Sequence, residues 1–131
     1  MKKIIILTLT SIIFFSCDPL VQMEANIVNL TSKSLFIEFV SWDASYSKTL
    51  QINPSQKVLF DIYDGYGTYA EPELSYYDSV IIKNQAEEIL KVYKRNDFGK
   101  NIYNIDDYWI SSEPSKRFFI FEYEIESEDI D

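Results

Sequence analysis

Chemistry in this chain has to begin with Cys17, the single cysteine, which has no histidine anywhere in the sequence to work with. A lone thiol can be a nucleophile, a metal ligand or an attachment point, and its surroundings choose among these. Met1-Lys2-Lys3 gives a positive start, Ile4 to Phe15 runs apolar apart from Thr8, Thr10 and Ser11, and small Ser16 precedes the thiol. A charged start, an apolar middle and a small residue before the cut site make the layout of a secretory signal. The twelve-residue apolar stretch falls well short of the roughly 20 residues a spanning helix needs. Residues 1–16 are therefore predicted to be a signal peptide. Two alternatives stand beside this reading. One is ordinary secretion with Cys17 left as a free thiol, and the other is an N-terminal helix buried in a cytosolic domain.

The remaining candidates for chemistry are carboxylates and tyrosines. Absence of histidine removes the commonest general base and the commonest transition-metal ligand. Three glycines, Gly65, Gly67 and Gly99, are too few and too scattered for a phosphate-binding loop, and no Gly-x-Ser-x-Gly elbow occurs. A Ser–Lys dyad would need Ser-x-x-Lys on a helix, and the Ser-Lys neighbours fall in turns or strands. Asp61, Asp64, Glu71 and Glu73 could supply the paired carboxylates of a glycosidase, about 5–10 Å apart. With 21 acidic residues such clustering is expected by chance, so they read as a solvated face. Asp61-x-x-Asp64-Gly65 and Asp106-Asp107 could offer oxygens to calcium but lack EF-hand spacing. The expectation is no catalytic residue, no metal site and no cofactor.

Tyr63, Tyr66, Tyr69, Tyr76 and Tyr77 crowd one segment. Exposed aromatics on a loop form a stacking platform for glycans or a protein hot spot, whereas inward-packed ones only anchor the loop. These five are the candidate partner-binding residues. Trp42 and Trp109 read as core or edge residues.

The elements that would position these groups read as strands. Short runs rich in Val, Ile, Phe and Tyr alternate with polar breaks. Ala25–Leu30 and Ser34–Trp42 flank Thr31-Ser32-Lys33, which reads as a tight hairpin connection. Lys48–Ile52 stops at Asn53-Pro54-Ser55-Gln56, and Lys57–Tyr63 follows. The Asp64–Ser75 segment, with two glycines and Pro72, reads as a long surface loop. Tyr76–Lys83 and Glu88–Tyr93 read as a hairpin around Asn84-Gln85, with a short helix over Gln85–Val92 as the rival. Phe98–Trp109 looks irregular. Lys116–Glu126 is the clearest strand, with Phe119, Phe121, Tyr123 and Ile125 on one face and Glu122, Glu124 and Glu126 on the other. Glu126–Asp131 reads as a ragged acidic end. About seven strands at this spacing predict an all-β fold, a small antiparallel β-sandwich of immunoglobulin-like or open-barrel type.

Removing residues 1–16 leaves 115 residues, with ten Lys and Arg against 21 Asp and Glu, a net charge of −11. That length suits one domain able to bury a core without disulfides. The expected organisation is signal peptide 1–16, N-terminus and tether 17–23, and one β-sandwich domain 24–131. Such a surface repels phosphate backbones, so no nucleic-acid partner is expected.

Phe14-Phe15-Ser16-Cys17 resembles the lipobox of bacterial lipoproteins, with Phe14 where Leu, Val or Ile is usual. Tyr77-Asp78-Ser79-Val80-Ile81-Ile82-Lys83 is similar to the "DSV" strand of small lipoproteins of the Bacteroidetes type. The ending Phe121-Glu122-Tyr123-Glu124-Ile125-Glu126-Ser127-Glu128-Asp129 resembles their closing "Y-x-I-T-x-x-D" strand, with Glu126 in place of Thr. Phe98-Gly99-Lys100 and Asn101-Ile102-Tyr103-Asn104 are similar to their Gly-Lys turn and Asn-rich stretch. The resemblance implies lipidation at Cys17, with a thioether-linked diacylglycerol and usually an N-acyl chain, and transfers no activity or catalytic residue. The expected location is the bacterial cell envelope, with the outer membrane favoured over the inner. The function expected is a non-catalytic structural or interaction module. Alternatives are an inhibitor or immunity-type lipoprotein binding a basic protein, and a glycan-binding accessory protein.

Overall fold

Period-two alternation builds most of the molecule, and the sheet register shows what each face meets. The computed structural model describes residues 17–131, so the expected signal segment lies outside the described residues. Eight strands and two single-turn helices follow in order: β1 (Leu20–Asn29), β2 (Leu35–Val40), β3 (Lys48–Ile52), β4 (Lys57–Tyr66), β5 (Ser79–Lys83), β6 (Ile89–Tyr93), α1 (Ile105–Tyr108), β7 (Ile110–Ser115), β8 (Phe118–Ile125) and α2 (Ser127–Ile130). They form two four-stranded sheets, ordered β4-β1-β8-β7 and β3-β2-β5-β6. The protein is an all-β sandwich. Every pairing is antiparallel except β1 with β8, which run parallel.

Inward-facing side chains fill the space between the sheets. Met23, Ala25 and Ile27 of β1, with Phe121, Tyr123 and Ile125 of β8, face Leu35, Ile37 and Phe39 of β2 and Val80 and Ile82 of β5. Phe39 stacks on Phe60 at 4.4 Å, joining the two sheets, and Trp109 tilts against Tyr123 at 5.5 Å. Each buried Val, Leu, Ile, Phe or Met among them stabilises the fold by roughly 1.5–3 kcal/mol. Trp109 also donates its Nε1–H to the Ile102 carbonyl at 2.7 Å, so its polar end is satisfied inside.

Several expectations need correction. Thr31-Ser32-Lys33 is not a hairpin turn, because β1 and β2 belong to different sheets. The connection crosses the sandwich, and buried Asn29 organises it. Its Nδ2 donates to the carbonyls of Lys33 (2.7 Å) and Ile52 (3.0 Å), while its Oδ1 accepts from the Thr31 amide and hydroxyl. The tether expected over 17–23 is shorter: β1 starts at Leu20, and Val21 and Met23 are buried. Asp64–Gly67 does not break the chain at once, since β4 continues to Tyr66 against the start of β1. Gln85–Val92 is not helical; a turn with Glu87 at φ 61° leads into β6.

Two elements were not anticipated. β7 reads Ile-Ser-Ser-Glu-Pro-Ser, is exposed throughout, and forms a sheet edge where Pro114 removes no needed donor. Residues 126–131 are not ragged. A capping box between Glu126 and Asp129 starts α2, Ile130 is buried, and Lys100 bridges Asp129 (2.7 Å) and Glu126 (3.2 Å). Trp42 is neither core nor shielded edge, being 83% exposed in the connection after β2.

Candidate functional site

The strands β1 and β4 are longer than those of the other sheet, and a concavity lies where they extend past it. β4 and the start of β1 project together there, pairing Leu20 with Tyr66 and Met23 with Tyr63. The chain after Tyr66 folds back over the inner face of this overhang. Gly67, at φ 143°, donates its amide to the Pro19 carbonyl at 2.8 Å, and Tyr69 packs edge-on against Phe119 at 5.0 Å. Leu74 and Tyr77 then enter the core before β5 begins.

Between β4 and this returning segment lies a groove of about 420 Å³. It is lined by Met23, Asp61, Ile62, Tyr63, Tyr69, Ala70, Glu71, Glu73 and Tyr76. Tyr63, Tyr69 and Tyr76 are each roughly half exposed. Tyr76 lies flat on Tyr46, with ring centroids 4.7 Å apart and planes within 4°. Tyr63 lies over Gly65, close enough that a Cβ there would meet its hydroxyl at 2.5 Å.

The groove carboxylates are held by backbone amides. Asp61 accepts from the amides of Ile62 (2.9 Å) and Glu73 (3.1 Å), and Glu73 accepts from the Ser75 amide (2.8 Å). Glu71 accepts from the Tyr69 hydroxyl at 3.3 Å, and burial together with Glu71 pushes that phenol up from its ordinary value. Behind the groove, Lys48 bonds to the Phe60 carbonyl and lies over the Phe60 ring at 4.1 Å. Burial pulls the Lys48 ammonium down, opposed by Asp61.

The five candidate tyrosines therefore divide. Tyr63, Tyr69 and Tyr76 line one groove. Tyr66 is exposed at 71%, but it pairs with Leu20, one residue out of phase with buried Val21, and so lies on the outer face of the sheet. Tyr77 is a core residue at 7% exposure, packed against Phe39 and Phe60, and is removed from the contact surface. Sequence reading missed Tyr46, whose stacking on Tyr76 depends on two separate connections meeting. Asp61 and Asp64 point to opposite faces of β4, pairing with inward Ala25 and outward Gln22, so their spacing does not converge on an ion. Among the described residues no group of three or more His, Cys, Asp or Glu is arranged to hold a metal. Sequence reading also passed over Ser45-x-x-Lys48, which has the spacing of a Ser–Lys dyad. It is not one, since Ser45 donates to Asp43 at 2.7 Å and Lys48 turns to Phe60. Cys17 is exposed, three residues ahead of the start of β1. No helix among the described residues is long and apolar enough to cross a membrane.

Aromatic walls beside carboxylates fixed by amides can accept a cation or stack on a sugar. The chain is an all-β sandwich with an acidic, tyrosine-lined groove at one end. No protein-family model matches the chain, and neither a curated protein nor a solved structure matches it.

Proposed function

We propose that this chain is an exported bacterial lipoprotein, anchored by lipid on Cys17, that serves as a non-catalytic binding module of the cell envelope. Its contact surface in this reading is the groove at the overhanging end of the sandwich, and its partner is a protein that inserts a basic side chain there. The observation that carries the reading is the meeting of Tyr63, Tyr69 and Tyr76 with Asp61, Glu71 and Glu73 around one cavity. A guanidinium or ammonium group gains from the ring faces and from the carboxylates together. The net charge of −11 left once residues 1–16 are removed speeds encounter with a basic partner. The lipobox-like residues before Cys17 support the anchor. Outer-membrane placement belongs to the same proposal.

A second reading is favoured by one observation, the coplanar Tyr46–Tyr76 pair, which offers a flat platform of the kind sugars stack on. Crosslinking capture from the native envelope with the tethered protein tests both readings. The expected result is a protein partner recovered by wild type, lost with Tyr69→Ala/Tyr76→Ala, and bound several-fold more slowly as salt rises. Equal recovery by the double variant would remove the groove as the contact. Recovery of a glycan with no salt dependence would select the second reading.

A further inference from the structure

The position of Cys17 has a consequence for how the domain would stand on a membrane, which rests on the lipid-anchor reading above. Pro19 is already fixed to the domain, its carbonyl accepting the Gly67 amide at 2.8 Å. Only Cys17 and Asp18 are left as free tether. Two residues reach about 7 Å when fully extended. A headgroup layer is about 5–7 Å deep on each side of the hydrocarbon. A lipid on Cys17 thus keeps the tip of the β4-β1-β8-β7 sheet within reach of the headgroups.

What the tip displays suits that depth. Leu20 and Tyr66 lie side by side on the outer face and are largely exposed. Next to them the β7–β8 turn carries Lys116 and Arg117. Arg117 donates from Nε to the Leu20 carbonyl at 2.9 Å, and its own carbonyl accepts the Gln22 amide at 2.8 Å. Neither Lys116 nor Arg117 enters a salt bridge among the described residues. Tyrosine and long basic side chains are the residue types that settle at a membrane–water interface, ring or stem in the apolar zone and polar end outward. Asp18, Asp64 and Glu113 belong to the same end of the molecule, so the tip is not a net cationic patch. The contact therefore depends on the apolar and aromatic groups rather than on anionic lipid.

We infer that Leu20, Tyr66, Lys116 and Arg117 form a membrane-contact surface that seats the tip of this sheet in the lipid headgroups and orients the domain. The groove then stays usable. Tyr63 and Asp61 lie three and five residues further along β4, about 10–17 Å from Tyr66 at the rise of a strand.

The test uses the full chain, produced with its lipid and reconstituted in phosphatidylethanolamine–phosphatidylcholine vesicles, after mass measurement of the acyl group on Cys17. A fluorophore is attached at Thr68→Cys beside the tip, or at Ala86→Cys in the turn at the far end. Both positions are exposed, and the thioether leaves the new thiol as the only free one. The expected result is a tip label several-fold less accessible to an aqueous quencher than the far label, with access restored by Leu20→Ser/Tyr66→Ser. Acylated protein whose two labels are equally accessible overturns the membrane contact and leaves the anchor standing. A chain without acyl mass on Cys17 overturns both. Protection of the tip label that requires envelope proteins, and is absent on bare vesicles, assigns the surface to a protein and also overturns the inference.

Discussion

Tyr93 and Tyr123 carry the least comfortable atoms in the molecule, two phenolic hydroxyls sealed from solvent. Their rings meet edge to face at 6.1 Å, so the two hydroxyls lie near one another but out of hydrogen-bond geometry, and neither reaches any other partner. A buried polar group without a partner costs about 1–3 kcal/mol. Asn29 is the opposite case, equally buried with every polar atom used. The two should therefore respond oppositely to truncation. Tyr123→Phe is expected to leave stability unchanged or raise it by about 1 kcal/mol, while Asn29→Ala should cost about 2–4 kcal/mol. Urea denaturation of both variants checks this, and a loss in Tyr123→Phe comparable to that in Asn29→Ala would contradict it. Neither role was legible in the sequence. A buried tyrosine and a buried asparagine look like any others until distant segments close around them.

At the scale of elements, legibility followed local pattern. β2 and β5 alternate in burial throughout and β8 does so from Ile120 onward, and the strand expected over Lys116–Glu126 appears as Phe118–Ile125 with its apolar and acidic faces as read. β7 has no alternation to read, because an edge strand exposed on both faces needs none. The parallel partnership of β1 with β8 joins residues about a hundred positions apart, and no local signal encodes it. The site suffered similarly. The crowd of tyrosines was visible, but strand phase decided which faced the groove, the outer surface or the core. The two glycines of this region make a test of the same geometry. Gly67 sits at φ 143°, where an L side chain is strained, whereas Gly65 takes no such angle and is tight only because the movable end of Tyr63 covers it. Gly67→Ala is expected to cost about 1–2 kcal/mol. Gly65→Ala should stay within about 1 kcal/mol, since the tyrosine can swing aside, yet it should shift the Tyr63 ring resonances and disturb the groove. Denaturation midpoints with aromatic NMR spectra check the ranking. A larger loss at Gly65 would mean that Tyr63 is held rigidly.

For the molecule as a whole, the ionisable groups that the fold perturbs most lie on the alkaline side. Without histidine, no side chain has an ordinary value between about 5 and 8, so stability should be flat from about pH 6 to 9. Burial holds the phenols of Tyr77, Tyr93 and Tyr123 above their ordinary value and pushes Tyr103 up to about 12. In the unfolded chain these groups ionise near 10. Below that pH both states keep their protons and the full stability is present. Above it the unfolded chain releases protons that the folded one retains, and stability falls as pH rises. Lys100 acts in the same direction. Burial works against its charge, but Asp129 and Glu126 outweigh burial and raise it, so its contribution is lost as pH rises through the folded value. Lys48 has the opposite sign, because burial lowers it and stability grows as pH rises through its folded value. Four tyrosines and one lysine outweigh one lysine. Unfolding is therefore expected to set in above about pH 10, with tyrosinate absorbance rising in one cooperative step as the β-sheet circular dichroism is lost. Smooth ionisation of all ten tyrosines with the sheet signal intact would show that the core phenols are open to water.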